Sequence, residues 1–232
     1  MPAWKDTADV AIIGGGIVGA ATAYHLAQRG CTDVVILEKD LLAQASTGLS
    51  AGGIRQQFSH PANIRLSQEA VRVFERFEEE LGVDVEFHQV GYLFLAQSEE
   101  VWQEFLANVE VQRRHQVPVE ALSPGEIQRR WPYLNVEDLC GGTFCAEDGY
   151  ADPYMAAMGF AQAARRLGVR IEEQTRVTAI LTQEGRILGV ETTRGRIAAP
   201  AVVNVAGPWG GQVAQMAGYD LPVKPYRRQV FV

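Results

Sequence analysis

The sequence predicts an α/β fold: a β-α-β unit at the start, a β-meander late in the chain, and part of an α+β region between them. Three observations carry this. Residues 9–13 (DVAII) and 33–38 (DVVILE) are short apolar runs flanking a glycine-rich turn and a helix-period stretch. Strands that are apolar continuously rather than alternately are buried on both faces, as in a parallel sheet. Residues 176–199 break into three strand-length pieces at Glu184-Gly185 and Arg194-Gly195, dipeptides suited to tight turns. Residues 201–206 (AVVNVA) are one further buried strand, and the glycine-rich stretch 207–211 leads from it into a last helix.

The other elements follow in order. Residues 16–29 read as a helix whose Ala20, Ala21 and Ala23 are small enough to lie against a sheet, and Gly30 ends it. With its two strands it makes one right-handed β-α-β crossover. Residues 41–53 form a loop rich in Ser, Thr, Gly and Ala. A long amphipathic helix is expected over 61–81, with Ile64, Val71, Phe74, Phe77 and Leu81 as its apolar stripe. Residues 91–96 (GYLFLA) read as a strand and 98–115 as a helix with Trp102, Phe105 and Val109 on one face. Residues 118–134 read as a connection containing a short helix near 124–130. Asp152-Pro153 opens a helix to Leu167, apolar almost all round and expected to be covered on both sides; 169–173 follows as a strand.

The domain boundaries expected from this are 1–82 with 143–219 for a discontinuous nucleotide-binding domain, and 83–142 with 220–232 for an incomplete substrate domain. The sequence stops on YRRQVFV, residues 226–232, strand-like with no turn after it. A strand end of that kind is a sticky edge unless paired, so a chain cut partway through a domain is expected.

Composition narrows the function. Of 232 residues 47% are hydrophobic and 21% charged, enough for a sizeable core. The net charge is −7 without a basic tract, which excludes nucleic acid and an anionic membrane surface as expected partners. No apolar run reaches the roughly 20 residues of a membrane span, and residues 1–9 contain Lys5, Asp6 and Asp9 but no signal-peptide core. Cys31, Cys140 and Cys145 are odd in number and match no metal spacing; they read as buried or inert thiols of a reducing, cytoplasmic compartment. The four histidines, His25, His60, His88 and His115, suggest no metal site either. The substrate is therefore expected to be small, with any acidic group on it recognised by a few local cations.

The chemistry-bearing motif is Gly14-Gly15-Gly16-Ile17-Val18-Gly19, which contains G-x-G-x-x-G. Alone that pattern is weak. Here it follows a buried strand, opens a helix, and is followed by Glu38 nineteen residues beyond Gly19, close to the ~20 of a Rossmann-like dinucleotide site. Gly14 permits the tight turn, Gly16 lets backbone N–H groups approach a pyrophosphate, and Gly19 lets helix and strand pack closely. The helix N-terminus, with Ile17 and Val18, adds about half a positive charge. Glu38 can accept from both ribose hydroxyls and would repel a 2′-phosphate, which argues against NADP. FAD rather than NAD is indicated by what comes next. Instead of further β-α repeats, a loop of small and hydroxyl residues, Ser46-Thr47-Gly48-Leu49-Ser50-Ala51-Gly52-Gly53, offers donors to a longer cofactor.

The runs DVAIIGGGIVGAATAYHLAQRG, VVILEK and STGLSAGGIRQQF resemble the D-amino-acid-oxidase-like (DAO) family of flavoproteins, and within it the β subunits of sarcosine oxidase and archaeal proline dehydrogenase. GIRQQFSHPANIRL, GYLFLA, DGYADP and VVNVAGPWG fit the same branch. The resemblance extends over residues 9–232, strongest in the first 53 and weak between 98 and 139. Members of the family are usually considerably longer. The resemblance implies FAD contacts at Gly14, Gly16, Gly19, Glu38, Lys39, Ser46, Thr47, Ala51, Gly52 and Gly53, a backbone contact from Val177 to the adenine, and contacts from Ala206 and Gly207. It places Arg55 where related sarcosine-type oxidases hold the substrate carboxylate, which suits a guanidinium fork. Arg55 pairing with a nearby acid or a flavin phosphate is the alternative. Some relatives attach FAD to a histidine in the loop after the second strand, others FMN to one near the position of Pro153. Residues 45–53 and 116–232 contain no histidine, so non-covalent FAD is expected.

The reaction so implied is oxidation of a C–N bond beside a carboxylate in a small amino or N-alkyl amino acid, by hydride transfer to flavin N5, with Arg55 fixing the carboxylate. This fragment alone is expected to be inactive. Two alternatives stand beside it: a flavoenzyme of the same fold on another substrate, such as glycerol 3-phosphate, and a non-catalytic flavin-bearing assembly protein. The likeness to β subunits leaves room for a hetero-oligomer with other oxidase subunits.

Overall fold

The computed structural model describes residues 4–227 and residue 229. They fall into two compact units, Met1–Ala51 with Leu81–Val83 and Pro153–Val232, and Gly52–Glu80 with Asp84–Asp152.

The first unit is built on a four-stranded parallel sheet in the order Ala201–Asn204, Val10–Ile13, Val34–Leu37, Arg170–Glu172. Its register sets Ile12 between Val203 and Ile36. Ala11, Ile12, Val34, Val35 and Ile36 are wholly buried, as continuous apolar runs require. The helix Ile17–Gln28 buries Gly19, Ala20, Ala23, Tyr24 and Ala27. The helix Pro153–Arg166 buries Ala156, Ala157, Gly159, Phe160, Ala161, Ala163 and Ala164, while Tyr154 and Met155 are exposed. These two faces of small residues let the helices approach closely, with Tyr24 and Phe160 rings 5.7 Å apart. The meander is Val177–Gln183, Arg186–Thr192 and Gly195–Ala198, antiparallel throughout. Its first turn is Glu184-Gly185, both at positive φ; the second lies on Thr193-Arg194, so Gly195 starts the last strand instead of closing the turn. Val177, Ile180, Val190 and Ile197 from the meander join Ala11, Ile13, Val35 and Leu37 from the sheet in one core. After Asn204 the chain makes a 3-10 turn, Gly207–Trp209, and the short helix Gly210–Gln215.

The second unit has a three-stranded antiparallel sheet in which Gly141–Cys145 lies between Tyr92–Ala96 and Val119–Leu122, and a small pair of Gly53–Ile54 with Gly149–Tyr150. The helix Glu99–Arg114 starts on a Ser98 cap, and Pro124–Arg130 on a Ser123–Glu126 capping box. Three short strands here, Gly53–Ile54, Val119–Leu122 and Gly141–Cys145, lie in stretches that carry no clear strand period. Their pairing comes from partners distant in sequence.

One expectation is corrected. The helix expected over 61–81 breaks at Arg76 (φ −113°) into Pro61–Glu75 and Phe77–Leu81. The break turns Phe77 into the core, where it stacks on Phe74 at 5.7 Å. The compact units are divided differently from the expected domains. Helix Pro61–Glu75 belongs to the second unit because Ile64 is buried with Val109, Val117, Val119 and Cys145. Residues 143–152 join it too, because Gly141–Cys145 is the middle strand of its sheet, and of residues 220–232 the described ones, 220–227 and 229, group with the first unit. Of the strand expected over 226–232, residues 228 and 230–232 lie outside the described residues; Tyr226, Arg227 and Gln229 have no regular structure.

Candidate functional site

The first unit contains a cleft of about 400 Å³ at the C-terminal ends of the parallel strands and the N-terminus of helix Ile17–Gln28. Gly14, Gly16, Ile17, Val18, Glu38, Lys39, Ser46, Thr47, Val177, Ala206 and Gly207 all line it, so eleven positions chosen from the sequence converge on one site. The turn that makes this possible is backbone-limited. Gly14 has φ +121°, and a Cβ on it would meet the Val205 carbonyl at 2.5 Å. A Cβ on Gly19 would be driven into the Gly14 carbonyl, which is the close helix–strand packing the third glycine serves. Gly16 has ordinary geometry; a Cβ there would meet only Thr47 Oγ1, at 3.0 Å, and would otherwise stand in the cleft.

Glu38, half-buried at the end of its strand, accepts hydrogen bonds from Gly15 N–H (2.7 Å) and Asp40 N–H (2.9 Å). A carboxylate has about four lone-pair sites, so the side chain is pinned and still has acceptor capacity for hydroxyl groups. Thr47 Oγ1 accepts from Ile17 N–H at 3.1 Å, tying the Ser/Thr-rich loop to the first turn of the helix. The first-turn N–H groups of a helix have no acceptor within it, and here they front the cleft. Lys39 pairs with Asp40 at 2.9 Å and lies 4.2 Å over the Trp209 ring. The acceptor-bearing Glu38, the donor-rich helix start and the open position at Gly16 together fit the adenosine and pyrophosphate parts of a dinucleotide.

Ala51, Gly52 and Gly53 do not line this cleft. Ala51 ends the first segment of the first unit, and Gly52 and Gly53 open the second unit, where Gly53 pairs with Tyr150. Three contributors were not singled out in the sequence. Gly15 is required because a Cβ would sit 2.9 Å from Glu38 Cβ and 2.6 Å from Leu42. Arg176 and Trp209 line the cleft; the former has no ion pair among the described residues. Their signals were adjacency to Val177 and the GPWG turn.

Arg55 belongs to the second unit. Its guanidinium is centred 5.3 Å from the rings of Phe58 and Phe94 and 6.0 Å from that of Tyr92. Among the described residues it makes no hydrogen bond and has no carboxylate within ion-pair distance. An exposed cation thus rests on three aromatic rings without a direct ion pair among the described residues. Nearby, the fully buried Asp148 accepts from Gln56 N–H (2.8 Å) and Gln57 Nε2 (3.0 Å). Burial raises its carboxyl pKa above the ordinary 3.8, against the lowering effect of the glutamines, the Cys145 thiol and the Arg55 charge. Burial likewise pushes the Cys145 thiol up to about 12, so it is not a nucleophile at neutral pH. All three cysteines are free, but only Cys145 is buried. Among the described residues no group of three or more His, Cys, Asp or Glu could hold a metal, and no helix is long and apolar enough to cross a membrane.

A glycine-rich turn between parallel strands, an acid at the end of the second strand and a meander beside the sheet define a dinucleotide-binding domain of the Rossmann-like class. The chain belongs to the family of FAD-dependent oxidoreductases (DAO), whose model matches residues 9–232. FAD is the cofactor of that family. Rat mitochondrial dimethylglycine dehydrogenase is 37% identical over 232 residues, which are 100% of this chain and 27% of that protein. Human mitochondrial sarcosine dehydrogenase is 35% identical over 223 residues, 94% of this chain and 24% of that protein. The chain thus spans about a quarter of the length of these curated relatives. The crystal structure of L-proline dehydrogenase from P. horikoshii superposes with a TM-score of 0.84 at 35% identity, covering 93% of this chain and 57% of that one.

Proposed function

We propose that the full-length protein oxidises the C–N bond of a small amino or N-alkyl amino acid of the sarcosine, dimethylglycine or proline kind, with FAD held non-covalently. The observation that carries the reading is Arg55, a cation on an aromatic platform with no carboxylate of its own. The names of the three relatives given above, dehydrogenases of dimethylglycine, sarcosine and L-proline, support the same substrate class, although a mitochondrial pyruvate dehydrogenase phosphatase regulatory subunit is also among the similar proteins. The flavin, when bound, supplies the acceptor for the hydride that leaves the substrate carbon. The chain's own residues bind and orient. Glu38 accepts from ribose hydroxyls, the first turn of helix Ile17–Gln28 faces the pyrophosphate, and Lys39 and Arg176 add positive charge. Arg55 grips the substrate carboxylate through a two-bond fork, which fixes the direction of the C–N bond. Ala51, Gly52 and Gly53 complete the cofactor loop in this proposal. No histidine lies in residues 45–53 to form a covalent link. Partners are the amino acid and, in a larger assembly, other oxidase subunits.

The test is anaerobic addition of sarcosine, dimethylglycine, proline and glycerol 3-phosphate to the purified full-length flavoprotein, followed by the flavin's visible absorbance. Bleaching by one or more of the amino acids and not by the phosphate ester is expected. Bleaching by glycerol 3-phosphate alone, or by nothing, sinks the proposal. Acid precipitation should release the flavin into the supernatant.

A further inference from the structure

The first unit's cleft accounts for the motif at its start, but one group in the second unit has no part in the chemistry described so far. Asp148 is fully buried, and besides the Cys145 thiol each of its oxygens accepts from one short segment, the residues that follow Arg55. Oδ1 accepts from the backbone N–H of Gln56 at 2.8 Å. That N–H lies in the peptide plane that begins at Arg55, so fixing it fixes the plane's orientation at the Arg55 Cα. Oδ2 accepts from Gln57 Nε2 at 3.0 Å, and the same amide nitrogen donates to the Tyr92 carbonyl at 2.9 Å. Asp148's own carbonyl accepts from Gly91 N–H at 2.8 Å, just before the strand Tyr92–Ala96. Through the Gln57 amide and its own carbonyl, Asp148 therefore ties the backbone that carries Arg55 to the strand that supplies Tyr92 and Phe94, two of the three rings beneath its guanidinium.

Burying a carboxylate carries a desolvation cost, so such a group is uncommon unless its charge is used. Two uses fit this place. Hydrogen bonds to an ionised acceptor are shorter and stronger than neutral ones and hold the segment more tightly. An anion set behind Arg55 and out of ion-pair contact with it also partly balances the cation while leaving the fork of N–H donors open. A carboxylate in direct contact would occupy that fork.

We propose that Asp148 is the positioning residue for Arg55: by holding Gln56 N–H and the Gln57 amide it fixes the backbone and the aromatic floor that present the guanidinium to the substrate carboxylate. This rests on the reading of Arg55 as the carboxylate anchor. It assigns Asp148 no contact with substrate or cofactor.

The experiment uses the flavin-loaded full-length protein and whichever of sarcosine, dimethylglycine or proline bleaches it. Asp148→Ala, Asp148→Asn and Gln57→Met are compared with wild type and with Arg55→Ala. Flavin content is measured first. KM and kcat follow for the amino acid and for its decarboxylated amine (dimethylamine, trimethylamine or pyrrolidine), with acetate titrated as a non-reacting carboxylate. Asp148→Ala is expected to raise KM for the amino acid and Kd for acetate about tenfold, with kcat changed less than about threefold and the neutral amine unaffected. Asp148→Asn should fall between, because it keeps an acceptor for Gln56 N–H, and Gln57→Met should raise KM about threefold. Should Asp148→Ala not retain flavin, the Asn and Met variants decide by the same measures. Unchanged acetate affinity, or equal losses on acid and neutral amine, overturns the assignment. If Arg55→Ala discriminates acid from amine and the Asp148 variants do not, the positioning role falls alone. If Arg55→Ala itself does not discriminate, the carboxylate reading falls and this inference with it.

Discussion

In the nucleotide cleft, the critical contacts are made by backbone atoms close together in the chain: Gly14, Gly16 and Gly19 within six residues, with Glu38 reaching back to Gly15 N–H. At Arg55 the reverse holds. One side chain depends on Phe58, Tyr92, Phe94 and Asp148, which the fold gathers from three separate stretches: the segment of Arg55 itself, the strand Tyr92–Ala96 and the residues before Gly149–Tyr150. A site made of backbone turns has a spacing that the fold cannot vary, so its sequence has a fixed pattern. A site made of side chains on a sheet tolerates many spacings. It therefore leaves no pattern, only residues whose roles appear once they are adjacent. The two regions should consequently fail in different ways.

The largest effect is expected in the cleft. Gly19→Val sets a branched side chain against the Gly14 carbonyl, a backbone atom that cannot swing aside. The helix must move off the strand, at a cost of at least about 3 kcal/mol, the upper range for overpacking. Purified full-length protein should be colourless and should melt well below wild type. Gly16→Val separates binding from folding, since its Cβ meets only Thr47 Oγ1 and then the cleft. Flavin affinity should drop by about 100-fold or more, near 2.7 kcal/mol, while the apoprotein keeps its circular dichroism. A flavin-replete Gly16→Val protein would show that the pyrophosphate does not approach here.

Arg55→Ala should leave flavin content intact and act on the substrate alone. Two charged hydrogen bonds lost amount to about 2–4 kcal/mol, or roughly 30- to 1,000-fold in kcat/KM on the amino acid. Arg55→Lys should recover only part of this, because a point charge cannot form the fork. Equal losses on an acid and its decarboxylated amine would mean that Arg55 serves the platform instead. Smaller again is Glu38→Ala. It removes an acceptor for Gly15 and Asp40 N–H and for the ribose, about 1.5–3 kcal/mol, or roughly 10- to 100-fold in FAD affinity by equilibrium dialysis.

The same contrast explains how much could be read in advance. The β-α-β unit, the meander and the cleft positions at the glycine turn, Glu38 and the Ser/Thr loop were legible because period, turn chemistry and glycine spacing are local properties, whereas Lys39, Val177, Ala206 and Gly207 came from the family resemblance alone. The kink at Arg76 was not, since the apolar stripe from Ile64 to Leu81 continues through it and only the burial of Phe77 against Phe74 shows why the helix breaks. The short strands Val119–Leu122 and Gly141–Cys145 were missed because a central strand such as GGTFC takes its pairing from both neighbours and carries little propensity of its own. Gly15 was passed over as the variable position of the motif. Its constraint comes from Leu42 and Glu38 packing against it, which spacing does not reveal. Arg55 was picked out by resemblance, yet the sequence alone left open whether an acid held it. Asp148 was visible only as a letter in DGYADP.

The smallest expected effect bears on the buried carboxylate itself and is read in stability. Burial raises the Asp148 pKa above 3.8; the bonds from Gln56, Gln57 and Cys145 and the Arg55 charge oppose this and are outweighed. In the pH window from about 3.8 up to the raised native value, the folded protein holds a proton on Asp148 that the unfolded chain has released. Stability then falls as pH rises, because the unfolded state binds fewer protons there than the native one. Below the window both states are protonated and above it both are ionised, so the contribution is flat on either side. Asp148→Asn cannot titrate. Its loss of charged hydrogen bonds is a constant offset, whereas the wild-type cost of ionising a buried group appears only as the pH rises. The difference in urea midpoint between variant and wild type, measured from pH 4 to pH 8, should therefore move in favour of the variant as pH rises through the window and level off above it. A difference that stays constant, or moves the other way, would mean that the partners of Asp148 stabilise its anion more than burial penalises it, and that the native pKa lies at or below its ordinary value.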